Sequence, residues 1–222
     1  MSRILIPELW KNTTNNVYQY QYFFDFDDKV YYTRADDNTT TKLLNEISDM
    51  KTSGELEQIT FATYDDVFNN LESMDVELYN TIKTVLSNSL TDIIQRKVVD
   101  IELTDGKLPH HDVWVNYQQK HEYVPSHTHD GMYSFVWYLD IPIEIMNEHK
   151  NNNKTFETHG LIEFSSKRDN GSMVFSPKTA DVFIFKSTHS HQVYPFYSDN
   201  TRISMAGNIH SITFEDGETI TV

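Results

Sequence analysis

Two histidines one residue apart, His127 and His129, sit in the polar stretch Pro125-Ser126-His127-Thr128-His129-Asp130-Gly131. In an extended chain residues i and i+2 point to the same side, so both imidazoles can converge on one ion while Thr128 and Asp130 face away. Far downstream, His191 follows the apolar run Asp181-Val182-Phe183-Ile184-Phe185, and Arg202 opens Arg202-Ile203-Ser204-Met205-Ala206. Imidazole nitrogens suit Fe(II), Zn(II), Cu(II) and Ni(II), and three protein ligands that leave positions open characterise a catalytic metal centre. A guanidinium matches a carboxylate through two parallel hydrogen bonds. The residues therefore spell a metal site beside an anion clamp.

Several alternatives stay open at this level. A local bulge could turn Asp130 inward in place of His129, although strand alternation favours His129. His189 competes with His191. Any single histidine in a polar turn is more often solvated than ligating, and Arg202 could be a surface residue paired with Asp199. His110, His111, His121, His149 and His159 lie in polar segments and read as solvated, while His210 ends the strand after Arg202.

The two contexts continue as Trp114-Val115-Asn116-Tyr117 and Tyr133-Ser134-Phe135-Val136-Trp137-Tyr138-Leu139, and as His191-Gln192-Val193-Tyr194-Pro195-Phe196 before Arg202. Together they resemble the 2-oxoglutarate and Fe(II)-dependent oxygenase superfamily, most nearly a group of short oxygenase-like proteins of tailed phages and marine bacteria. That group's pattern runs N-x-Y, P-x-H-x-H, S-x-V-x-Y-L, F-P, H-x-V-x-P and R-x-S, and the resemblance spans about residues 112 to 210. It implies a jelly roll, Fe(II) and 2-oxoglutarate as cosubstrate. It favours His191 over His189, because the ligand precedes Val-x-Pro. It gives Arg202 the distal carboxylate of 2-oxoglutarate with Ser204 assisting, and it places Asn116, Tyr117, Ser134 and Tyr138 along the pocket.

Most of the superfamily carries H-x-D, so His129 at the middle position is the chief departure. The implied reaction is hydroxylation of a small molecule or a peptide or protein, with release of succinate and carbon dioxide. Two rivals remain: a cupin-like three-histidine dioxygenase without 2-oxoglutarate, and a non-catalytic viral jelly-roll structural or binding protein.

Composition narrows the field. With 222 residues the chain is long enough for one domain with a substantial core. A net charge of −15 argues against nucleic acid as partner, since phosphates call for clustered Lys and Arg. The absence of cysteine removes disulfides, thiolate metal sites and cysteine nucleophiles. The opening apolar run Ile4-Leu5-Ile6 is too short for a secretory signal, and no run has the length to cross a bilayer. The expected location is cytoplasmic, the host cytoplasm if phage-encoded.

These residues must be held by a mainly β fold with supporting helices. Residues 17–33 read as two strands joined near Asp27-Asp28, and a short helix is expected around Lys42 to Met50. From Tyr64 to about Arg96 a three-and-four spacing predicts two helices broken near Ser73 to Asp75, capped at Thr63. After Lys97 short alternating segments predict strands at 98–103, 113–119, 133–141, 161–164, 172–175, 182–185, 191–194 and 202–214. Residues 147–153 read as a polar loop. Such strands favour a double-stranded β-helix of antiparallel sheets over a parallel α/β fold. We expect residues 1–97 to pack as strands and helices on a jelly-roll catalytic core at 98–222, one structural domain overall.

Overall fold

The computed structural model describes residues 3–5, 17–21, 29–53, 57–59, 64–66, 76–103, 113–148, 158–165 and 171–222. The first half contains β1 (Arg3–Leu5), β2 (Val17–Gln21), β3 (Lys29–Arg34), α1 (Asp37–Ser53), β4 (Glu57–Ile59), β5 (Tyr64–Asp66), α2 (Val76–Ile94) and β6 (Val98–Glu102). The second half contains β7 (Val113–Gln118), β8 (Val124–His127), β9 (Tyr133–Asp140), α3 (Ile143–Glu148), β10 (Ile162–Ser165), β11 (Ser172–Phe175) and β12 (Asp181–Lys186). It ends with β13 (Ser190–Val193), β14 (Arg202–Ile209), β15 (Ser211–Phe214) and β16 (Thr219–Thr221).

An eight-stranded sheet runs β2-β3-β12-β9-β14-β7-β5-β4, a five-stranded sheet β1-β11-β10-β13-β8, and a three-stranded sheet β16-β15-β6. Among the described residues every strand pairing is antiparallel except β1 against β11. The inner strands alternate between two sheets in jelly-roll order, β7, β9, β12 and β14 in the large one and β8, β10, β11 and β13 in the smaller one.

The period-two alternation explains both cores. On β9 and β12 the residues Phe135, Trp137, Leu139, Val182 and Ile184 face Leu43 and Ile47 of α1 and Ile82, Leu86 and Leu90 of α2. Their neighbours Tyr138, Phe183 and Phe185 face the smaller sheet and meet Ile162, Phe164, Met173 and Phe175 there. The large sheet is thus covered on both faces, which is why its central strands read as near-continuous apolar runs. Each fully buried large apolar side chain contributes roughly 1.5–3 kcal/mol. That wall of aromatic and aliphatic groups forms the apolar side of the cavity between the sheets.

The helical expectations need correction. Asp36 accepts a hydrogen bond from the Thr39 amide at 2.9 Å and caps a helix that starts at Asp37, earlier than the expected start around Lys42, and runs to Ser53. Tyr64 to Asp66, expected to open a helix, is instead strand β5, paired with Trp114 to Asn116 of β7. The expected break near Ser73 to Asp75 lies outside the described residues. The stripe itself survives in α2, which ends at Ile94 and is followed by Gln95 in the left-handed region (φ 59°).

Residues 202–214 are not one strand. The chain leaves the large sheet at His210, whose amide donates to Glu102 O at 2.8 Å, and β15 joins the small third sheet. Asn147 and Glu148, expected in a polar loop, end α3; the rest of that expected loop lies outside the described residues. Among the described residues no helix is long and apolar enough to cross a membrane.

Candidate metal centre and anion pocket

The ladder between β8 and β13 places His191 directly across from His127, with ring centroids 4.3 Å apart. His129 lies just past the end of β8 rather than on it. Its amide donates to Ser187 O at 2.8 Å, and that bond, not continued strand pairing, returns the ring to the same side. The His129 and His191 Nε2 atoms lie 3.4 Å apart, and one ring nitrogen from each of the three residues falls within 4.8 Å of the others. This is the group among the described residues that could hold a metal. Asp130 is exposed and takes no part in it.

Each imidazole is oriented from behind. His127 Nδ1 donates to Pro125 O at 2.7 Å and His191 Nδ1 to His189 O at 3.3 Å, which leaves both Nε2 lone pairs for a cation. Trp114 packs on His129 with centroids 5.5 Å apart. Phe185 and Phe164 wall in His191 at 4.7 and 5.8 Å. Burial, followed by the neighbouring His127 and His129, holds His191 well below its ordinary value. It is therefore neutral at physiological pH, as ligation requires.

The loop carrying His129 rests on a buried polar cluster. Ser187 Oγ bonds Ser134 Oγ at 2.9 Å, and Ser134 Oγ donates to Asn208 Oδ1 at 2.7 Å. Gly131, at φ +96°, lets the turn close over it.

The deep end of the same cavity is formed by Arg202, which is 2 % exposed. Its Nη1 donates to Gly160 O at 2.6 Å and its Nη2 to Gln118 Oε1. Both acceptors are neutral, and no carboxylate among the described residues pairs with it. Asp199, the alternative partner, bonds Lys120 at 2.6 Å instead. Burial lowers the Arg202 pKa, opposed by Tyr138.

The Tyr138 hydroxyl is buried without a hydrogen-bond partner. Burial pushes that phenol up to about 12, against the lowering pull of Arg202, so it is an unsatisfied donor beside a buried cation. Ser204 and Asn116 lie across the ladder from one another, with Asn116 Nδ2 3.5 Å from Ser204 Oγ. These four residues and all three histidines line one cavity of about 70 Å³, several water volumes at roughly 10–15 Å³ each. A buried guanidinium and an orphaned hydroxyl are what an elongated dicarboxylate would satisfy, and three imidazoles fit a divalent ion.

Two expected pocket residues lie elsewhere. Tyr117 faces the helical layer, with Lys51 Nζ 3.2 Å from its ring centroid, because its neighbours Asn116 and Gln118 take the cavity face of β7. Ser134 belongs to the cluster under the His129 loop. His189 is buried against Phe164 and outside the metal group, while His121 and His159 flank the ring of Tyr197. His110, His111 and His149 lie outside the described residues. Trp114 and Gln118 were not singled out from sequence, although Gln118 shares the face of Asn116 two residues on.

Residues 112–208 match a family model described as "Putative 2OG-Fe(II) oxygenase". No curated protein sequence matches the chain. Among solved structures, a Pseudomonas putida prolyl-4-hydroxylase superposes with a TM-score of 0.53 at 12 % identity, covering 81 % of this chain and 91 % of that one. The non-heme alpha-ketoglutarate-dependent carbocyclase SnoK from nogalamycin biosynthesis gives 0.52 at 10 % identity, covering 84 % and 82 %. At such identities these likenesses report the fold, which is the jelly roll expected from the strand pattern.

Proposed function

We propose that the chain, whose residues 112–208 match the model described as a putative 2OG-Fe(II) oxygenase, is a 2-oxoglutarate/Fe(II)-dependent oxygenase that hydroxylates a C–H bond of a small molecule or peptide, with Fe(II) held by His127, His129 and His191. The observation that carries this reading is the buried Arg202, held by neutral acceptors, at the floor of the cavity that the three imidazoles line. Arg202 takes the distal carboxylate of 2-oxoglutarate, and the Tyr138 hydroxyl and Ser204 add hydrogen bonds to it. Asn116 lines the wall between them.

Bound Fe(II) supplies dioxygen activation coupled to oxidative decarboxylation of 2-oxoglutarate, giving succinate and carbon dioxide. The protein's own part is positioning. Fixed Nδ1 donors keep His127 and His191 in one tautomer, and the aromatic wall shields the ion site. The cation at the closed end sets which way the cosubstrate lies. His127 and His129 are half exposed whereas His191 and Arg202 are buried, so the cosubstrate sits deep and the substrate approaches from the histidine side. An all-imidazole set leaves the ion's charge for the dianionic cosubstrate to offset.

The neutral histidine set also favours a cupin-like dioxygenase that uses no oxoacid, but such chemistry has no need for a buried guanidinium. The prolyl-4-hydroxylase and the carbocyclase share the fold while differing in reaction, so hydroxylation is supported by the general chemistry of the family. The test is 2-oxoglutarate binding and succinate release in wild type and Arg202→Ala. Loss of affinity in the variant is expected; unchanged affinity would contradict the assignment.

A further inference from the structure

Gln118 stands at the end of β7 with its Cα paired to that of Arg202 at the start of β14, and both are buried, 6 % and 2 % exposed. Its amide is held at both ends. Nε2 donates to Glu122 O at 2.7 Å and to Tyr194 O at 3.4 Å. Two carbonyls on that side require the NH2 group there, so Oε1 must face the guanidinium and accept from Arg202 Nη2.

The turn that follows keeps its acid away. Glu122 offers its backbone carbonyl to Gln118, while its carboxylate is turned outward to accept from the Gln119 amide at 2.7 Å. Arg202 is thus gripped at Nη2 by an amide oxygen and at Nη1 by the Gly160 carbonyl. Two acceptors without charge fix the plane of the fork and leave its positive charge uncompensated. A glutamate at 118 would differ by one atom, reach the same nitrogen and cancel that charge inside the protein, where a buried pair is strongly coupled.

We propose that Gln118 is a positioning residue for cosubstrate binding: its neutral amide aims the Arg202 guanidinium into the cavity without neutralising it, and so sets the preference for an oxoacid with a second carboxylate. This rests on the assignment of Arg202 to the distal carboxylate. The consequence is specific to one end of the ligand. An effect transmitted by general loss of structure would weaken every oxoacid alike, whereas loss of the guanidinium's charge or aim touches only ligands that reach it.

The experiment compares anaerobic binding of 2-oxoglutarate and 2-oxopentanoate, which ends in a methyl group where 2-oxoglutarate ends in a carboxylate, to the Fe(II)-loaded full chain. Wild type is expected to prefer 2-oxoglutarate by at least roughly tenfold, the value of one charge-assisted hydrogen bond. Gln118→Glu should reduce that preference to about threefold or less while leaving 2-oxopentanoate binding and iron content unchanged. Gln118→Met, which keeps the charge on Arg202 but removes the acceptor, should also blunt the preference and supplies the test if Gln118→Glu does not fold. A wild type without preference would overturn the Arg202 assignment itself. A wild type with the preference and a folded variant that keeps it in full would overturn the role of Gln118 alone.

Discussion

His191 faces His127 across the β13–β8 ladder, Cα paired with Cα, so the smaller sheet itself sets the two side chains opposite one another. This pairing makes two of the three proposed ligands a property of the fold rather than of a loop. His127→Ala or His191→Ala should abolish retention of iron through gel filtration, read by metal analysis. Asp130→Ala, at an exposed position outside the group, should retain it. Iron lost with Asp130→Ala and kept with His129→Ala would restore a carboxylate triad.

Arg202→Ala removes the one Lys or Arg side chain that lines the cavity among the described residues. Hydrogen bonds to charged groups contribute about 1.5–3 kcal/mol, so 2-oxoglutarate affinity should fall roughly ten- to hundredfold with iron content preserved. Equilibrium dialysis of the cosubstrate reads this directly.

Tyr138→Phe separates binding from folding. The phenol oxygen is buried and unpartnered, so its removal should leave the unfolding midpoint unchanged or slightly raised. It should nonetheless weaken 2-oxoglutarate by about 0.5–1.5 kcal/mol, the net value of one hydrogen bond. A variant that loses stability and keeps full affinity would show that the hydroxyl serves the core instead.

Much of this site was legible because it is written in short local patterns. H-x-H and H-x-V-x-P each place a histidine beside an apolar strand, and R-x-S marks the start of another. The reason given by strand alternation was only partly right, since His129 lies past the end of β8 and depends on Ser187, a residue far away in sequence. Gln118 carries no local signal: a glutamine reads as surface until the fold brings Glu122 O, Tyr194 O and Arg202 around its amide. The same holds for β5. A three-residue strand is too short to show a period, and only its pairing with β7 distinguishes it from the helical stripe that continues into α2. The positions of β4 and β5 in the sheet are likewise long-range facts.

Gly131→Ala tests the support beneath His129. At φ +96° an added Cβ would stand 3.1 Å from Ile209 O and 3.3 Å from Asn208 Cβ. The strain should cost about 1–3 kcal/mol of stability, and iron should be held more weakly because the ligand lies two residues away. Unchanged stability and unchanged metal content would argue against a rigid turn.

Asp181 gives a pH signature independent of the metal. Burial raises its carboxyl above the ordinary 3.8 despite bonds from the Lys178 amide, the Tyr32 hydroxyl and Arg34. In the interval above 3.8 the native state holds this proton more tightly than the unfolded chain does, so the contribution to stability is present at the acid end and is lost as pH rises through the folded value. Urea midpoints of wild type relative to Asp181→Asn should therefore decline with rising pH across that interval and then level. A relative gain would reverse the sign and refute the raised value.

The most direct test of the central claim is an anaerobic titration of the iron-loaded protein with 2-oxoglutarate, following the weak visible absorbance that Fe(II) gives when the oxoacid chelates it. Wild type is expected to develop a saturable band at one equivalent that requires His127, His129 and His191 and shifts to much higher cosubstrate concentration in Arg202→Ala. A folded, iron-containing wild type that develops no such band would contradict that claim.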